Sequence, residues 1–330
     1  MLSSSSSALL LLAASRLSYG VVANTNPLPL VIWHGLGNPV GQAQIATLLI
    51  SIGDNYDADG LKSVGKLAEQ VNPGTFVYNI RLDDNPSGDR AATFFGNLTI
   101  QLAQVCEDLA SHPILSASPS GINALGFSQG GQFLRGYIER CNSPPVRSFV
   151  TFGSQHNGIS EFQDCDPNDW VCKAAIGVMK SSTWSSFVQS RFVPAQYFRD
   201  PEDLSSYLEF SNFLADINNE RETKNKTYAA NLASLEKFAT YMFSDDTTAI
   251  PKESAWFAEV NRTSGFVTPL QRRDIWREDW IGLRKLGEKG GLDFRIAEGR
   301  HMELNDKLLT RAFREYFSPS EGITDLREEL

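Results

Sequence analysis

Gly126-Phe127-Ser128-Gln129-Gly130 constrains this chain more than any other stretch. It follows the apolar run Ile122-Asn123-Ala124-Leu125 and opens the helix-like Gln132-Phe133-Leu134-Arg135-Gly136-Tyr137-Ile138-Glu139-Arg140. Strand, tight turn and helix in that order put a serine at the apex of a strained turn, which only small residues two positions before and after it permit. Gly126 and Gly130 are those residues. The Ser128 hydroxyl then stands clear of the sheet, free to act as a nucleophile.

An elbow of this kind predicts an α/β-hydrolase fold, a mostly parallel central sheet with helices on both faces. Its serine needs a base, and the chain holds four histidines: His34, His112, His156 and His301. Acid and base sit on loops after later strands, in the order serine, acid, histidine. His34 and His112 precede Ser128. His156 follows the apolar strand at 146–152 too closely to leave room for an acid-bearing strand. His301 follows the late strand Leu292-Asp293-Phe294-Arg295-Ile296-Ala297 in a turn-like Glu298-Gly299-Arg300 context, and is the expected base. Phe238-Ala239-Thr240-Tyr241-Met242-Phe243 reads as the strand before it. Asp245 and Asp246 lie just past its carboxyl end, where catalytic groups collect in open α/β sheets, and strand position does not choose between them. Leu28-Pro29-Leu30-Val31-Ile32-Trp33 reads as a buried parallel strand, with His34-Gly35-Leu36-Gly37 as the loop at its end. The backbone N–H groups of Leu36 and Gln129 are the expected oxyanion donors.

These residues resemble the palmitoyl-protein thioesterases, lysosomal α/β-hydrolases that remove fatty acyl groups from cysteine thioesters. The resemblance runs through residues 29–37, Leu125-Gly-Phe-Ser-Gln-Gly-Gly-Gln-Phe-Leu-Arg135, Arg140-Cys-Asn-Ser-Pro-Pro145, Phe213-Leu-Ala-Asp-Ile-Asn218 and the Asp246, Pro251, Ser254, Trp256-Phe257 stretch. It covers most of residues 27–317 and is far more specific than a lone G-x-S-x-G. It implies Ser128 as nucleophile, Asp246 rather than Asp245 as acid and His301 as base. It implies S-acylated proteins or peptides and long-chain acyl thioesters as substrates, and a lysosome or vacuole as location. The chain departs from the family at two places. Where the family carries adjacent cysteines after the oxyanion loop, this sequence reads Asn38-Pro39-Val40-Gly41-Gln42, followed by an insertion of about twenty residues through Gly60. Arg300 stands where an acidic residue is expected.

The residues alone leave two other functions open, an oxygen-esterase or lipase using the same triad and a non-catalytic acyl-binding protein. A helical insertion is expected at about 157–231, within an α/β-hydrolase domain at 24–317. Its Trp184, Phe187, Val188 and Phe192 are candidates for an acyl groove, since each buried methylene stabilises by about 0.8 kcal/mol. They serve equally as the core of the inserted helices.

Ala8-Leu-Leu-Leu-Leu-Ala-Ala14 has the length of a signal-peptide core, with cleavage expected before Asn24. No later segment is apolar for long enough to insert stably in a membrane. Four cysteines fit an oxidising compartment and allow three connectivities. Cys165 and Cys172 close a short loop, Cys106 and Cys141 would then pair, and the family resemblance implies the same connectivity. Sequons stand at Asn97, Asn225 and Asn261. A net charge of −9 with no concentrated basic stretch argues against nucleic acid. No cofactor or metal is expected: no phosphate-binding loop or dinucleotide fingerprint occurs, and no Cys-His spacing suggests a metal site. The polar tail at 318–330 ends in Arg327-Glu328-Glu329-Leu330, which reads either as a retention signal for the endoplasmic reticulum or as a charged helix end. Secretion is a further alternative destination.

Overall fold

Uninterrupted apolar runs have room to be strands only where both faces are covered, and that is where this chain uses them. The computed structural model describes residues 26–36, 55–162 and 170–319. Among these, eight strands occur: β1 (Leu30–Trp33), β2 (Val77–Asn79), β3 (Ile122–Phe127), β4 (Val146–Phe152), β5 (Lys237–Phe243), β6 (Glu259–Val260), β7 (Val267–Thr268) and β8 (Leu292–Ala297). Six make one parallel sheet in the order β2-β1-β3-β4-β5-β8, and β6 and β7 form a separate antiparallel ribbon. Every residue of β1 and β3 is buried.

Alternation along each strand divides the core in two. Val31, Trp33, Ala124, Phe149 and Phe238 face one side, against Phe133, Leu134 and Tyr137 of the helix Gln129–Arg140 and Leu102 and Val105 of the helix Leu98–Ser111. Leu30, Ile32, Leu125, Phe127, Val150 and Tyr241 face the other. That second face is covered by two helices whose buried residues repeat with helical spacing: Leu61, Val64, Gly65 and Ala68 in Asp59–Val71, and Leu309, Ala312, Phe313 and Tyr316 in Asp306–Tyr316. Contacts gather Asn26–Ser318 into one compact unit. The fold is that of an α/β-hydrolase.

Two features of the topology position a site. The chain passes from β1 to β2 on one side and then returns to β3 on the other, so the carboxyl ends of β1 and β3 flank a topological switch point. Between β4 and β5 the chain leaves the sheet for short helices, among them Trp170–Ser182, Ser186–Arg191, Leu204–Phe210 and Lys226–Ser234. This inserted region packs on the elbow helix, which is why residues Gln129 to Glu139 are buried all round. Cys106 and Cys141 are joined, tying Leu98–Ser111 to the end of the elbow helix. Cys165 and the side chain of Cys172 lie outside the described residues, as do residues 1–23, most of the insertion at 38–60 and the tail from 320. No described helix is long and apolar enough to cross a membrane.

Candidate active site

Ser128 sits between β3 and the elbow helix with φ 50° and ψ −126°, a conformation costly for any residue but glycine. Close packing enforces it. A Cβ at Gly126 would lie 2.2 Å from Gly131 Cα, and one at Gly130 would lie 2.3 Å from Trp33 O and 2.4 Å from His34 O. The Ser128 N–H donates to Phe152 O at 2.8 Å, anchoring the turn to β4.

His301, on the loop after β8, has Nε2 3.1 Å from Ser128 Oγ and Nδ1 2.6 Å from Asp246 Oδ2. Asp246 lies on the loop after β5 with a side chain only 2% exposed. Its Oδ1 accepts from the N–H groups of Thr248 and Ala249 at 2.8 and 3.0 Å, which leaves Oδ2 aimed at the imidazole. Asp245 is exposed, and its carboxylate accepts from Ser244 Oγ. With Nδ1–H donating to Asp246, the Nε2 lone pair faces the serine hydroxyl. This arrangement can take a proton from Ser128 and return it.

The other histidines are committed elsewhere. His112 accepts from Ile114 N and Leu115 N as the cap of a short helix. His156 is fully buried, pairs with Thr151 Oγ1 and stacks on Phe257. Burial holds it well below the usual imidazole range, hence neutral. His34 is buried at the end of β1, and the loop it opens runs close to Ser128: a Cβ at Gly35 would lie 3.1 Å from Ser128 Cβ. Leu36 follows at 39% exposure. Gln129 starts the elbow helix.

The Gln129 side chain has a second attachment that sequence patterns do not reveal. Its Nε2 donates to Thr93 O at 3.0 Å, and its Oε1 accepts from Tyr197 OH at 3.1 Å. Burial pushes the Tyr197 phenol up, so it stays a neutral donor. The Thr93 contact brings Phe94 and Phe95 beside the elbow.

The four groove candidates do not form one wall. Val188 is fully buried, because it sits on the inward face of a helix of six residues, so it is core rather than groove. Trp184 lines a cavity of about 1040 Å³ with Phe162, Phe198, Thr247 and Ile250, and that cavity contains none of Ser128, Asp246 and His301. Phe187 and Phe192 lie elsewhere, their rings 6.3 Å apart, and Phe192 meets Phe94 and Phe95 at 6.2 and 5.8 Å. Phe187 is 59% exposed and Phe95 44%. An exposed aromatic patch thus adjoins the segment bonded to Gln129.

Of the sequon asparagines, Asn225 and Asn261 are exposed. Asn97 is half-buried, its Oδ1 accepting from Thr99 N, Ile100 N and Asn212 Nδ2. Among the described residues no group of His, Cys, Asp and Glu is arranged to hold a metal.

The profile of the family described as palmitoyl protein thioesterase matches residues 29–301, from the start of β1 to the base candidate. The chain belongs to that family. It is therefore a thioesterase by class, and its relatives span it. Palmitoyl-protein thioesterase 1 of Caenorhabditis elegans is 33% identical over 299 residues, covering 89% of this thioesterase and 93% of the relative. Palmitoyl-protein thioesterase 3 of Dictyostelium discoideum is 33% identical over 237 residues, covering 71% and 78%. The lysosomal thioesterase PPT2 homolog of Drosophila melanogaster is 30% identical over 238 residues, with the same coverage of 71% and 78%.

Proposed function

We propose that this thioesterase removes long-chain acyl groups, palmitoyl among them, from S-acylated cysteines through an acyl-enzyme on Ser128. The observation that carries the reading is the unbroken hydrogen-bonded row from a strained Ser128 through His301 to a buried Asp246. Ser128 Oγ attacks the thioester carbonyl carbon while His301 Nε2 takes its proton. The tetrahedral oxyanion is received by the N–H groups of Leu36 and Gln129. The C–S bond then breaks, the cysteine sulfur leaves with the proton from His301, and the acyl group stays on Ser128. Water repeats the attack, passing a proton to His301, and the fatty acid departs as Ser128 recovers its hydrogen. A thiolate leaves easily, so the oxyanion donors carry more of the barrier reduction than protonation of the leaving group does.

The aromatic patch of Phe95, Phe187 and Phe192, backed by the buried Phe94, is the favoured place for the acyl chain, because it adjoins the segment tied to Gln129 and Phe95 and Phe187 offer exposed apolar surface. The proposed compartment is the secretory pathway leading to a lysosome. Three observations favour it: the Cys106–Cys141 disulfide, the exposed sequons at Asn225 and Asn261, and a relative named as lysosomal.

The test compares a palmitoyl thioester with the matching oxygen ester, for the wild type and Ser128→Ala. Thioester turnover should dominate and should vanish in the variant. Equal or faster oxygen-ester turnover makes the protein an esterase, and residual thioester turnover in Ser128→Ala removes Ser128 as the nucleophile.

A further inference from the structure

The Leu36 N–H belongs to the same peptide unit as the Gly35 carbonyl. In a trans peptide these two groups point in opposite directions, so whatever holds Gly35 O also aims Leu36 N–H. Gly35 O lies 3.0 Å from Nδ1 of His34. The other ring nitrogen, Nε2, lies 2.9 Å from Asp89 Oδ2, and both side chains are fully buried. A carbonyl oxygen only accepts, so Nδ1 carries the hydrogen that meets Gly35 O, whichever of the two side chains holds the proton between Nε2 and Asp89.

Asp89 is itself immobilised. Its Oδ2 also accepts from Tyr56 N at 2.8 Å, and its Oδ1 accepts from Leu82 N at 2.7 Å. On the opposite side the main chain of His34 is confined by the elbow helix, since any Cβ at Gly130 would strike His34 O. The loop from His34 to Leu36 is thus pinned between a buried side-chain pair and the nucleophile's own helix.

We propose that His34 and Asp89 are positioning residues of the oxyanion site. Asp89 orients the imidazole, the imidazole holds the Gly35 carbonyl, and the Leu36 N–H is thereby aimed at the oxyanion. Neither side chain touches substrate. Donation by Nδ1–H to Gly35 O also polarises that peptide, which strengthens Leu36 N–H as a donor. The inference rests on the acyl-enzyme reading above.

The experiment compares wild type, His34→Phe and Asp89→Asn, each normalised to the active sites titrated with a fluorophosphonate. Kinetics on a palmitoyl thioester are combined with affinities for two ligands. A long-chain trifluoromethyl ketone adds to Ser128 and creates an oxyanion, whereas a long-chain thioether occupies the acyl site without one. His34→Phe is expected to lower kcat by about 10- to 100-fold with KM within about 3-fold. Ketone affinity should fall with kcat, and thioether affinity should not move. Asp89→Asn should show the same pattern more mildly, and it decides the matter alone if His34→Phe does not fold.

A kcat within about 2-fold of wild type per titrated site overturns the proposal. So does an equal loss of affinity for both ligands, which marks a general structural role. Absence of fluorophosphonate labelling at Ser128 in the wild type is a separate result: it sinks the acyl-enzyme reading and this inference with it.

Discussion

Asp246→Asn should be among the most damaging single-atom exchanges in this protein, and the hydrogen bonds around Asp246 say why. Oδ1 accepts from two main-chain N–H groups, those of Thr248 and Ala249, while Oδ2 faces His301 Nδ1. The asparagine must keep its oxygen toward the two N–H groups, because the flipped amide would set a donor against two donors. Flipping forfeits two hydrogen bonds worth about 1 kcal/mol each and buries unpaired N–H groups at about 1–3 kcal/mol more. The amide NH2 therefore points at His301 and donates to Nδ1, which forces the ring hydrogen onto Nε2. Nε2 then presents a hydrogen, not a lone pair, to the Ser128 hydroxyl at 3.1 Å, and the base is disabled without leaving its place. In the triad of a serine protease the same exchange lowers kcat by about 10⁴-fold, equivalent to about 5.4 kcal/mol of barrier, and a loss of that order is expected here. The assay is steady-state thioester hydrolysis by purified Asp246→Asn and Asp245→Asn, with thermal unfolding alongside. Asp245→Asn should stay within about 2-fold, and both variants should unfold near the wild-type temperature. A loss below about 10-fold for Asp246→Asn, or a larger loss for Asp245→Asn, refutes the tautomer argument.

Burial pushes the Glu139 carboxyl up to about 7, against the opposing pull of Arg135 at 2.9 Å. Because the folded value lies above the unfolded one, the associated stability is fully present below about pH 4.5 and is lost as pH rises through about 7. Denaturant midpoints should therefore fall between pH 5 and pH 8, and Glu139→Gln should flatten that dependence; an unchanged slope in the variant assigns it to other groups. Replacing Cys106 and Cys141 together by serine opens a loop with a sequence separation of 35 and should cost about 4 kcal/mol on loop entropy. Chemical unfolding measures it, and a loss under about 1 kcal/mol contradicts the loop-entropy account. Gly130→Ala places a methyl 2.3 Å from Trp33 O, so it should abolish turnover and lower the unfolding temperature; an active, stable variant would mean that the elbow relaxes freely.

Much of this architecture is legible in the order of residues because its signals are local. Apolar runs mark β1, β3, β4 and β5, and glycines flanking Ser128 mark the turn between strand and helix. Chain order then singles out His301, which does lie in one hydrogen-bonded row with Ser128 and Asp246. The choice between Asp245 and Asp246 is not local: it depends on which carboxylate the N–H groups of Thr248 and Ala249 capture, and adjacent aspartates look alike in a sequence. Val188 and Phe187 show the same limit. Neighbouring apolar residues on a short helix point in different directions, one into the core and one into solvent. Asp89 escapes notice because its partner His34 is 55 positions away, and its own Asn-Pro-Ser-Gly-Asp context reads as an ordinary turn. Phe94 and Phe95 meet Phe192 across a still longer stretch of chain.

Arg135 sits fully buried in the elbow helix and donates to Ile217 O, Asn218 Oδ1 and His156 O as well as to Glu139. One guanidinium therefore joins the helix that follows Ser128 to two segments of the region inserted between β4 and β5. That region is thus not a free-standing cassette. A chimera whose imported insertion lacks the Asn218 amide, or does not place carbonyls where His156 O and Ile217 O lie, would strand a buried cation, so recombination should succeed only between parents that share Arg135 and Asn218.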